Sequence, residues 1–292
     1  MSSKPTYTNH NGFLMPFGFP TENFSSGLSY KPDDNDVFVC SYPKCGTTLM
    51  QHIVYLILND GVPVQSNERL DKLFPHLEEV GCAYIKDRAS VKKGYRLIKT
   101  HLPYDMTPIS SNAKYIFIAR NPKDCVVSFF HHTRGFPKHY NFEGGDFDVY
   151  YELFVKGEVD FGDYFKCVKS FIEHREDPNV LFLTYEDLQH DKGNTIRRVA
   201  RFLDNTIEER LLENDCKLLK AVIHHSSIEE MKKDPLRWCS LRESRHTPFV
   251  RSGKVGGWDE ILSEEQADRL NSIARTVFTE EELQILGDKY FS

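Results

Sequence analysis

Residues 37–59 read Val-Phe-Val-Cys-Ser-Tyr-Pro-Lys-Cys-Gly-Thr-Thr-Leu-Met-Gln-His-Ile-Val-Tyr-Leu-Ile-Leu-Asn, and the fold can be worked out from this stretch. The apolar run Val37 to Cys40 predicts a buried strand. Pro43 and Gly46 predict a tight turn. Apolar residues then recur at helical spacing until Asn59-Asp60-Gly61, which predicts the end of a helix. A strand therefore passes through a short turn into a helix.

The turn between this strand and helix has the chemistry of an anion site. Lys44-Cys45-Gly46-Thr47-Thr48 lies where free backbone N–H groups and the helix dipole favour a negative charge. Gly46 lets the backbone approach a phosphate closely, the threonines add hydroxyl donors, and Lys44 adds a mobile positive charge. The spacing is not that of a Walker A loop, in which lysine directly follows glycine. The alternative interpretation is an ordinary strand–turn–helix with a surface lysine.

Composition limits the class of protein. The chain has 292 residues, of which 40% are hydrophobic, and this is compatible with one large α/β domain or two smaller ones. The net charge of −6 argues against a general nucleic-acid surface. Seven cysteines without CxxC spacing are typical of free thiols in a reducing compartment. The sequence shows no signal-peptide pattern and no membrane-spanning run, so we expect a cytoplasmic protein that binds neither membranes nor nucleic acid.

Further strand patterns alternate with helical patterns along the chain. Residues 95–100, 114–119 and 180–184 each form an apolar run that predicts a strand. This alternation predicts an α/β fold with a parallel sheet flanked by helices and connected by right-handed crossovers. We find no domain linker and expect a single domain over residues 1–292, in which residues 1–35 are irregular.

A histidine and a lysine lie at the end of the second predicted strand. His101 directly follows that strand, and Lys99 lies two residues before it. Lone histidines are more often structural than catalytic. In open α/β sheets, however, ligands collect beside the carboxyl ends of the strands, which favours a functional role for His101.

Two further segments place cations in turns or loops. Arg120 follows the third predicted strand, and Ser128 lies eight residues later in the next helix. The guanidinium of Arg120 can bind a phosphate or pair with Asp124, and the residues alone leave both possibilities open. Residues 251–258 are basic and rich in glycine, so they form either a solvated linker or a phosphate clamp.

Residues 131–148 are polar and contain several glycines, which predicts a long loop. Long loops in compact domains are often lids, and we interpret this one as the lid of a binding site. Its His131-His132 pair and the later His224-His225 pair lack a Cys or carboxylate at zinc spacing, so we predict no metal.

Taken in chain order, these elements resemble the cytosolic sulfotransferase family. The resemblance covers the chain from about residue 33 to residue 292 and rests on several separated motifs. They are Tyr42–Thr48 for the 5′-phosphosulfate loop, Arg120–Ser128 and Arg251–Trp258 for the 3′-phosphate, Lys99–Pro103 for the catalytic histidine, and Tyr185–Asp187 and His225–Lys233 for adenosine.

The resemblance implies that 3′-phosphoadenosine 5′-phosphosulfate (PAPS) is the donor, that 3′-phosphoadenosine 5′-phosphate (PAP) is the product, and that no metal is needed. It also implies His101 as general base, with Lys44 and Lys99 stabilising charge around the sulfuryl group. The donor-binding residues implied are Lys44, Cys45, Gly46, Thr47, Thr48, Leu49, Arg120, Ser128, Tyr185, Ser226, Ile228, Arg251, Ser252 and Gly253.

The chain departs from the family pattern in four places. Cys45 replaces a usual serine, while Leu49 and Ile228 replace the two aromatic residues that usually hold the adenine. Residues 259–268 lack the Lys, Val and Glu of the family's short dimer motif. We therefore expect a monomer, or a dimer that does not use that motif.

The acceptor is a small molecule that the sequence does not identify. Aromatic residues of the predicted lid and its surroundings favour a phenol; they are Phe136, Tyr140, Phe142, Phe147, Phe74 and Tyr84. Two lid carboxylates, Glu143 and Asp146, suggest an aromatic monoamine, although a solvated acidic loop is the plainer interpretation. The competing functions are a non-catalytic nucleotide-binding protein and a P-loop nucleotide kinase on a related fold. Because His101, Lys44 and Lys99 are all present, we favour the enzyme.

Overall fold

The computed structural model of the chain describes residues 4–65, 67–88, 91–238, 250 and 253–291. Its strands are β1 (Tyr7–His10), β2 (Phe13–Pro16), β3 (Asp36–Cys40), β4 (Val91–Lys92), β5 (Tyr95–Thr100), β6 (Lys114–Ala119) and β7 (Val180–Thr184). Five of them form a sheet in the order β4-β5-β3-β6-β7, and β1 pairs with β2 in a separate hairpin. The four strands predicted from apolar runs are confirmed.

The order of the sheet brings the four long strands into parallel register. β3 lies between β5 and β6, so Val39 pairs with Lys99 on one side and with Ile116 on the other. β7 runs parallel to β6, and only the two-residue β4 is antiparallel, at the edge. The carboxyl ends of β3, β5, β6 and β7 therefore meet at one edge of the sheet.

The helices form layers on both faces of this sheet, and the bounds of each follow. They are α1 (Thr21–Leu28), α2 (Thr47–Leu58), α3 (Leu70–Leu73), α4 (Leu77–Arg88), α5 (Pro122–Arg134), α6 (Pro137–Tyr140), α7 (Phe147–Val155), α8 (Tyr164–Ile172), α9 (Tyr185–His190), α10 (Lys192–Leu203), α11 (Asn205–His225), α12 (Ile228–Lys232), α13 (Glu264–Val277) and α14 (Glu280–Leu286). Short 3₁₀ turns span Pro235–Arg237, Gly257–Glu260 and Asp288–Tyr290.

Alternating strand residues contribute to two hydrophobic cores. On β3, Phe38 and Cys40 face a core that includes residues of α5, α7, α8 and α13. Val37 and Val39 face the opposite core, together with residues of α2, α10 and α11. Because successive side chains of a strand point to opposite faces, a strand that is apolar throughout must be covered on both sides. The predicted α/β fold, a single domain with a parallel sheet flanked by helices, is confirmed.

Two segments differ from their predicted form. Residues 1–35 were expected to be irregular, but β1, β2 and α1 lie within them. Asn11 and Gly12 have φ angles of 51° and 91°, and an Asn-Gly pair of this kind closes a two-residue β-hairpin. Residues 131–148 were expected to form a long loop. The buried Phe130 and Thr133 instead keep α5 helical to Arg134, and α6 and the start of α7 occupy much of the remainder.

The six cysteines in the described part of the chain carry free thiols, as expected. Among the same residues, every helix is too short or too polar to span a bilayer.

Candidate active site at the carboxyl edge of the sheet

A cavity of about 310 Å³ opens at the edge where the parallel strands end. Its lining includes Lys44 in the turn after β3, His101 directly after β5, Arg120 directly after β6 and Tyr185 directly after β7. Each of the four parallel strands is thus followed by a polar side chain that lines the same space. This is the position at which open α/β sheets bind ligands.

The structure brings most of the predicted site residues together in this cavity. Those that line it are Lys44, Gly46, Thr47, Thr48, Leu49, Lys99, His101, Arg120, Ser128, Tyr185, Ser226, Ile228 and Gly253. Arg251 and Ser252 lie outside the described residues. Cys45 is the exception, because its side chain is fully buried beneath the loop.

The loop between β3 and α2 has the backbone form of an anion site. Lys44 and Gly46 have φ angles of 68° and 105°, in the left-handed region. Gly46 precedes the first turn of α2, and no described side chain caps that helix. A Cβ at position 46 would lie only 2.7 Å from Cδ2 of Tyr185. Gly46 is therefore required by both conformation and space, and the first N–H groups of α2 are available to an anion.

Two side chains support this loop from below. The Thr47 and Ser41 hydroxyl oxygens are 2.5 Å apart, which joins the first turn of α2 to the end of β3. The Cys45 thiol lies 3.7 Å from the Cys125 sulfur, and burial raises its pKa well above the ordinary thiol value. Cys45 thus contributes backbone and packing rather than a polar side chain to the site.

Arg120 is held so that its guanidinium faces the cavity from the β6–α5 turn. It lies 4.5 Å above the ring of Tyr185, donates to the Lys254 carbonyl at 3.1 Å, and approaches the Asp124 carboxylate at 3.9 Å. Asp124 also accepts the Gly256 N–H at 2.8 Å. The two possibilities left open for Arg120 are therefore compatible. It contacts Asp124 and still lines the cavity, as Ser128 does.

His101 is positioned entirely through buried contacts. Its backbone N–H donates to Glu78 Oε1 at 2.6 Å, and its Nδ1 lies 2.7 Å from the Ser41 carbonyl oxygen. Because a carbonyl oxygen only accepts, Nδ1 is the protonated nitrogen and Nε2 holds the lone pair. Burial, reinforced by the charges of Lys99 and His76, lowers the pKa of His101 well below its ordinary value. The neutral form, which can accept a proton, is therefore favoured.

Sequence reasoning missed Glu78, the carboxylate beneath His101. It is fully buried and also accepts the Thr100 hydroxyl at 2.9 Å. His76 approaches it at 3.4 Å, and the His76 and His101 rings are 5.0 Å apart. Burial opposes ionisation of Glu78, but His76 and the donated N–H groups lower its pKa below the ordinary value. Glu78 and His101 are far apart in the chain, so no local pattern pointed to this pair.

The two lysines approach the same region from different strands. Lys44 Nζ lies 3.4 Å from Nδ1 of His132, a residue that lines the cavity. Lys99 is the penultimate residue of β5, and its N–H donates to the Pro75 carbonyl at 3.0 Å. Positive charge thus converges beside His101 in a largely buried space.

The remaining wall of the cavity is aromatic, in part as predicted. Phe74, Tyr84, Phe136 and Tyr140 line it, and so do four rings that sequence reasoning did not select: Phe19, His76, Phe161 and Trp238. The carboxylate of Asp160, which was not selected either, lies in the same lining. Trp238 could have been noticed, since it is one of only two tryptophans and follows the predicted adenosine-binding segment.

Four lid residues do not take the predicted positions. Phe142 and Phe147 pack on Phe130, with ring centroids 6.4 and 5.2 Å away, as part of the core. Glu143 and Asp146 are exposed and lie outside the cavity, and Asp146 caps α7 by accepting the Val149 N–H. Their exposure agrees with the plainer interpretation, a solvated acidic loop, and not with carboxylates that border the acceptor.

One histidine pair does meet a carboxylate. His224, His225 and Glu230 place potential ligand atoms within 4.8 Å of one another, although the sequence spacing gave no sign of it. Glu230 is also paired with the Lys233 ammonium group. That pairing competes with a metal ion, and we keep the prediction that no metal takes part.

Comparison with known proteins identifies relatives that match most of the chain. A family model described as "Sulfotransferase domain" matches residues 34–285. Sulfotransferase 1B1 of Mus musculus is 30% identical, over 95% of this chain and 94% of its own length. The luciferin sulfotransferase of Photinus pyralis is 32% identical, over 88% of this chain and 79% of its own length.

Solved structures are similar over the same extent. Mouse sulfotransferase SULT7A1 complexed with PAP superposes with a TM-score of 0.75 at 26% identity, covering 97% of this chain and 98% of its own. Retinol dehydratase in complex with androsterone and the inactive cofactor PAP has a TM-score of 0.78 at 23% identity, over 94% and 90% of the two chains. The second likeness concerns the fold alone.

Proposed function

The chain belongs to the sulfotransferase family and is a PAPS-dependent sulfotransferase, and from that premise we propose that it transfers the sulfuryl group to the hydroxyl of a small phenolic acceptor, with His101 as general base. One observation carries this proposal. The Ser41 carbonyl fixes His101 so that Nε2 holds the lone pair, in the cavity that Lys44 and Lys99 also line.

The donor supplies the sulfuryl group when it is bound. The proposed 5′ site consists of Lys44, the threonine hydroxyls and the first N–H groups of α2, which suit an anion. Arg120 and Ser128 on the β6–α5 element supply a second set of donors for the 3′-phosphate. Arg251 and Ser252 remain part of the proposed 3′ site on the strength of the resemblance.

A third part of the cavity fits the adenine. Leu49 and Ile228 line it at the two positions where the family usually carries aromatic residues. Tyr185 and Trp238 line the same cavity. The Tyr185 hydroxyl donates to the Gly253 carbonyl at 2.9 Å, which holds the ring beside the loop. We propose that these two rings provide the flat surfaces that Leu49 and Ile228 lack.

The protein's part in the chemistry is to position groups and to neutralise charge. His101 removes the proton of the acceptor hydroxyl at Nε2, because its lowered pKa keeps it neutral. Lys44 and Lys99 stabilise negative charge that grows at the transferred group and at the departing phosphate. Low local dielectric strengthens both effects.

The acceptor proposal rests on the aromatic end of the cavity. Phe74, Tyr84, Phe136 and Phe161 offer apolar faces around a space of limited volume, which suits a planar ring bearing one hydroxyl. We keep residues 131–148 as the proposed cover of this end, since Phe136 and Tyr140 belong to both. We also propose a cytoplasmic protein that acts as a monomer, or as a dimer without the family's short motif, and that binds no nucleic acid.

An acceptor screen with labelled PAPS tests the proposal. Phenols, monoamines, steroids and aliphatic alcohols are offered in turn, and phenols are expected to be sulfated most efficiently. A non-catalytic nucleotide-binding protein would bind PAP without turning over any acceptor. In a thermal-shift comparison, PAP should stabilise the fold more than ATP does. Greater stabilisation by ATP would instead favour the nucleotide-kinase alternative.

A further inference from the structure

Asp160 is a buried carboxylate that the mechanism above does not use. It lines the cavity and is fully buried. The Tyr140 hydroxyl donates to its Oδ2 at 2.7 Å, while Oδ1 has no hydrogen-bond partner among the described residues. A buried carboxylate oxygen without a donor costs free energy. A ligand group that donates to Oδ1 would recover that cost.

Asp160 belongs to the acceptor end of the cavity rather than to the donor end. It directly precedes Phe161, whose ring centroid lies 5.0 Å from that of His101. Phe161 has a φ of 64°, which is rare for a bulky residue and is found where the surroundings impose it. The Phe161 N–H donates to the Leu14 carbonyl at 2.8 Å, so the N-terminal hairpin helps to hold this turn.

Asp160 has no counter-ion among the residues that the structure describes. Burial raises its pKa to about 7, against the opposing hydrogen bond from Tyr140. Among the described residues, no lysine or arginine contributes to the shift of its pKa. A cation supplied by a ligand would therefore meet an uncompensated carboxylate in a low dielectric, where attraction is strong. The rings of Phe136, Tyr140 and Phe161 line the same cavity and can offer π faces to that cation.

We propose that Asp160 binds an ammonium group of the acceptor. The acceptor class is then a hydroxylated aromatic amine, with its hydroxyl at His101 and its ammonium at Asp160. This inference rests on the proposed function and narrows its acceptor class. It also assigns the selection of a cationic acceptor to the buried Asp160 and not to the exposed Glu143 and Asp146.

A pair of acceptors that differ only at the distal group tests the assignment. Tyramine carries an ammonium where 4-propylphenol carries a methyl group, and both present the same phenol. We expect wild type to prefer tyramine in kcat/KM. Asp160→Asn should lower kcat/KM for tyramine by about 10–100-fold, the range of a lost charge-assisted hydrogen bond. The kcat/KM for 4-propylphenol should change by less than about 3-fold, because this acceptor carries no charge that could pair with Asp160.

Glu79→Gln is the matched control. Glu79 is another carboxylate that lines the cavity, but 46% of its side chain is exposed. Its removal should leave the ratio between the two acceptors unchanged. An unchanged ratio in Asp160→Asn, or a wild-type preference for 4-propylphenol, would overturn the assignment.

A measurement on wild type keeps the test independent of whether Asp160→Asn folds. Phenethylamine and propylbenzene lack the reactive hydroxyl, and each is tested as an inhibitor of 4-propylphenol sulfation. Phenethylamine should compete with the acceptor about 10-fold more strongly, as one charged contact allows, and equal inhibition would overturn the inference. Sulfation of 4-propylphenol without any amine preference would overturn this inference alone, whereas sulfation of no acceptor would overturn the proposed function with it.

Discussion

The Nδ1 atom of His101 donates a hydrogen bond to the carbonyl oxygen of Ser41 across 2.7 Å. Ser41 directly follows β3, and its own N–H reaches the Thr100 carbonyl at 3.4 Å. Because β3 pairs with β5, the Ser41 carbonyl is placed to fix the tautomer of His101. Ser41 lies just before the loop that holds Lys44. His101 and the loop that holds Lys44 share one piece of backbone, so their relative position is fixed by the sheet.

Replacement of His101 should abolish most of the turnover. His101→Ala is expected to lower kcat by about 10²–10⁴-fold, the usual contribution of a general base, with PAP affinity nearly unchanged. His139→Ala is the control, because His139 also lines the cavity and also contacts a backbone carbonyl, that of Phe17 at 2.8 Å. Steady-state kinetics and PAP titration measure the two effects. Near-normal turnover in His101→Ala would remove this residue from the mechanism.

The pH profile should place its acidic limb below the ordinary histidine range. His101 must be neutral to accept a proton, and its pKa is lowered from 6.5 by burial and by Lys99. Activity should therefore be flat near neutral pH and fall only as the pH drops through the lowered pKa. Lys99→Gln removes one lowering charge, so the limb should move to higher pH even though kcat also falls. A limb that stays in place when kcat/KM is measured across pH would contradict the coupling between Lys99 and His101.

Arg120 should discriminate between donors with and without a 3′-phosphate. Arg120→Ala is expected to weaken PAPS by about 10–100-fold in KM, as one charge-assisted contact contributes on the order of 1.5–3 kcal/mol. Adenosine 5′-phosphosulfate should be little affected. Arg201→Ala, an exposed arginine bound to Glu208, serves as control. Equal losses for both donors would place Arg120 elsewhere than at the 3′-phosphate. Arg251 is expected to behave in the same way by resemblance.

Gly46→Ala separates the need for space from the need for a left-handed backbone. Gly46 has a φ of 105°, and its new Cβ would lie 2.7 Å from Tyr185. At Gly94, φ is 86°, but nothing lies within 4 Å of the place that a Cβ would take. Gly94→Ala should therefore show only the conformational cost, about 1 kcal/mol in unfolding free energy. Gly46→Ala should lose more stability and also PAP affinity, and equal losses in urea unfolding would refute the clash.

The sequence predicted the strands and the turns that lead from them into helices because both are local. Val37–Cys40 is apolar throughout, as a strand covered on both faces must be, and Gly46 marks a turn that only glycine tolerates. The Glu78–His101 contact was not predicted because it joins segments that meet only after β5 pairs with β3. The position of Asp160 was missed for the same reason, since its burial follows from the packing of Tyr140 rather than from its neighbours in sequence.

Two expectations were wrong for physical reasons: that residues 1–35 are irregular and that residues 131–148 form a long loop. The Asn11-Gly12 pair is a strong hairpin signal, but it was outweighed by the polar composition around it. Residues 131–148 were interpreted as a loop from their glycines. Phe142 and Phe147 nevertheless bury against Phe130, and apolar burial of this size outweighs weak helix propensity. The first segment folds from a local turn signal, whereas the second shows tertiary packing overriding local composition.

Asp160 should make the stability of the fold depend on pH in a defined direction. Its pKa is raised by burial from 3.8 to about 7. Between these values the folded chain holds a proton that the unfolded chain has lost, so stability falls as the pH rises through this window and levels off above about 7. Each pKa unit corresponds to about 1.4 kcal/mol, and the full effect is on the order of a few kcal/mol. Glu186 is also raised to about 7, so wild type alone does not isolate the contribution of Asp160.

The difference between wild type and Asp160→Asn removes that shared background. Asparagine keeps the shape and the contact with Tyr140 but does not titrate. The unfolding free energy of Asp160→Asn relative to wild type should therefore be higher at about pH 8 than at about pH 5. Glu22→Gln, which changes an exposed carboxylate, should show no such difference. Urea unfolding of the three proteins at both pH values gives the comparison. A difference of opposite sign would mean that Asp160 is ionised and compensated in the folded protein, because then its charge would stabilise the fold rather than oppose it.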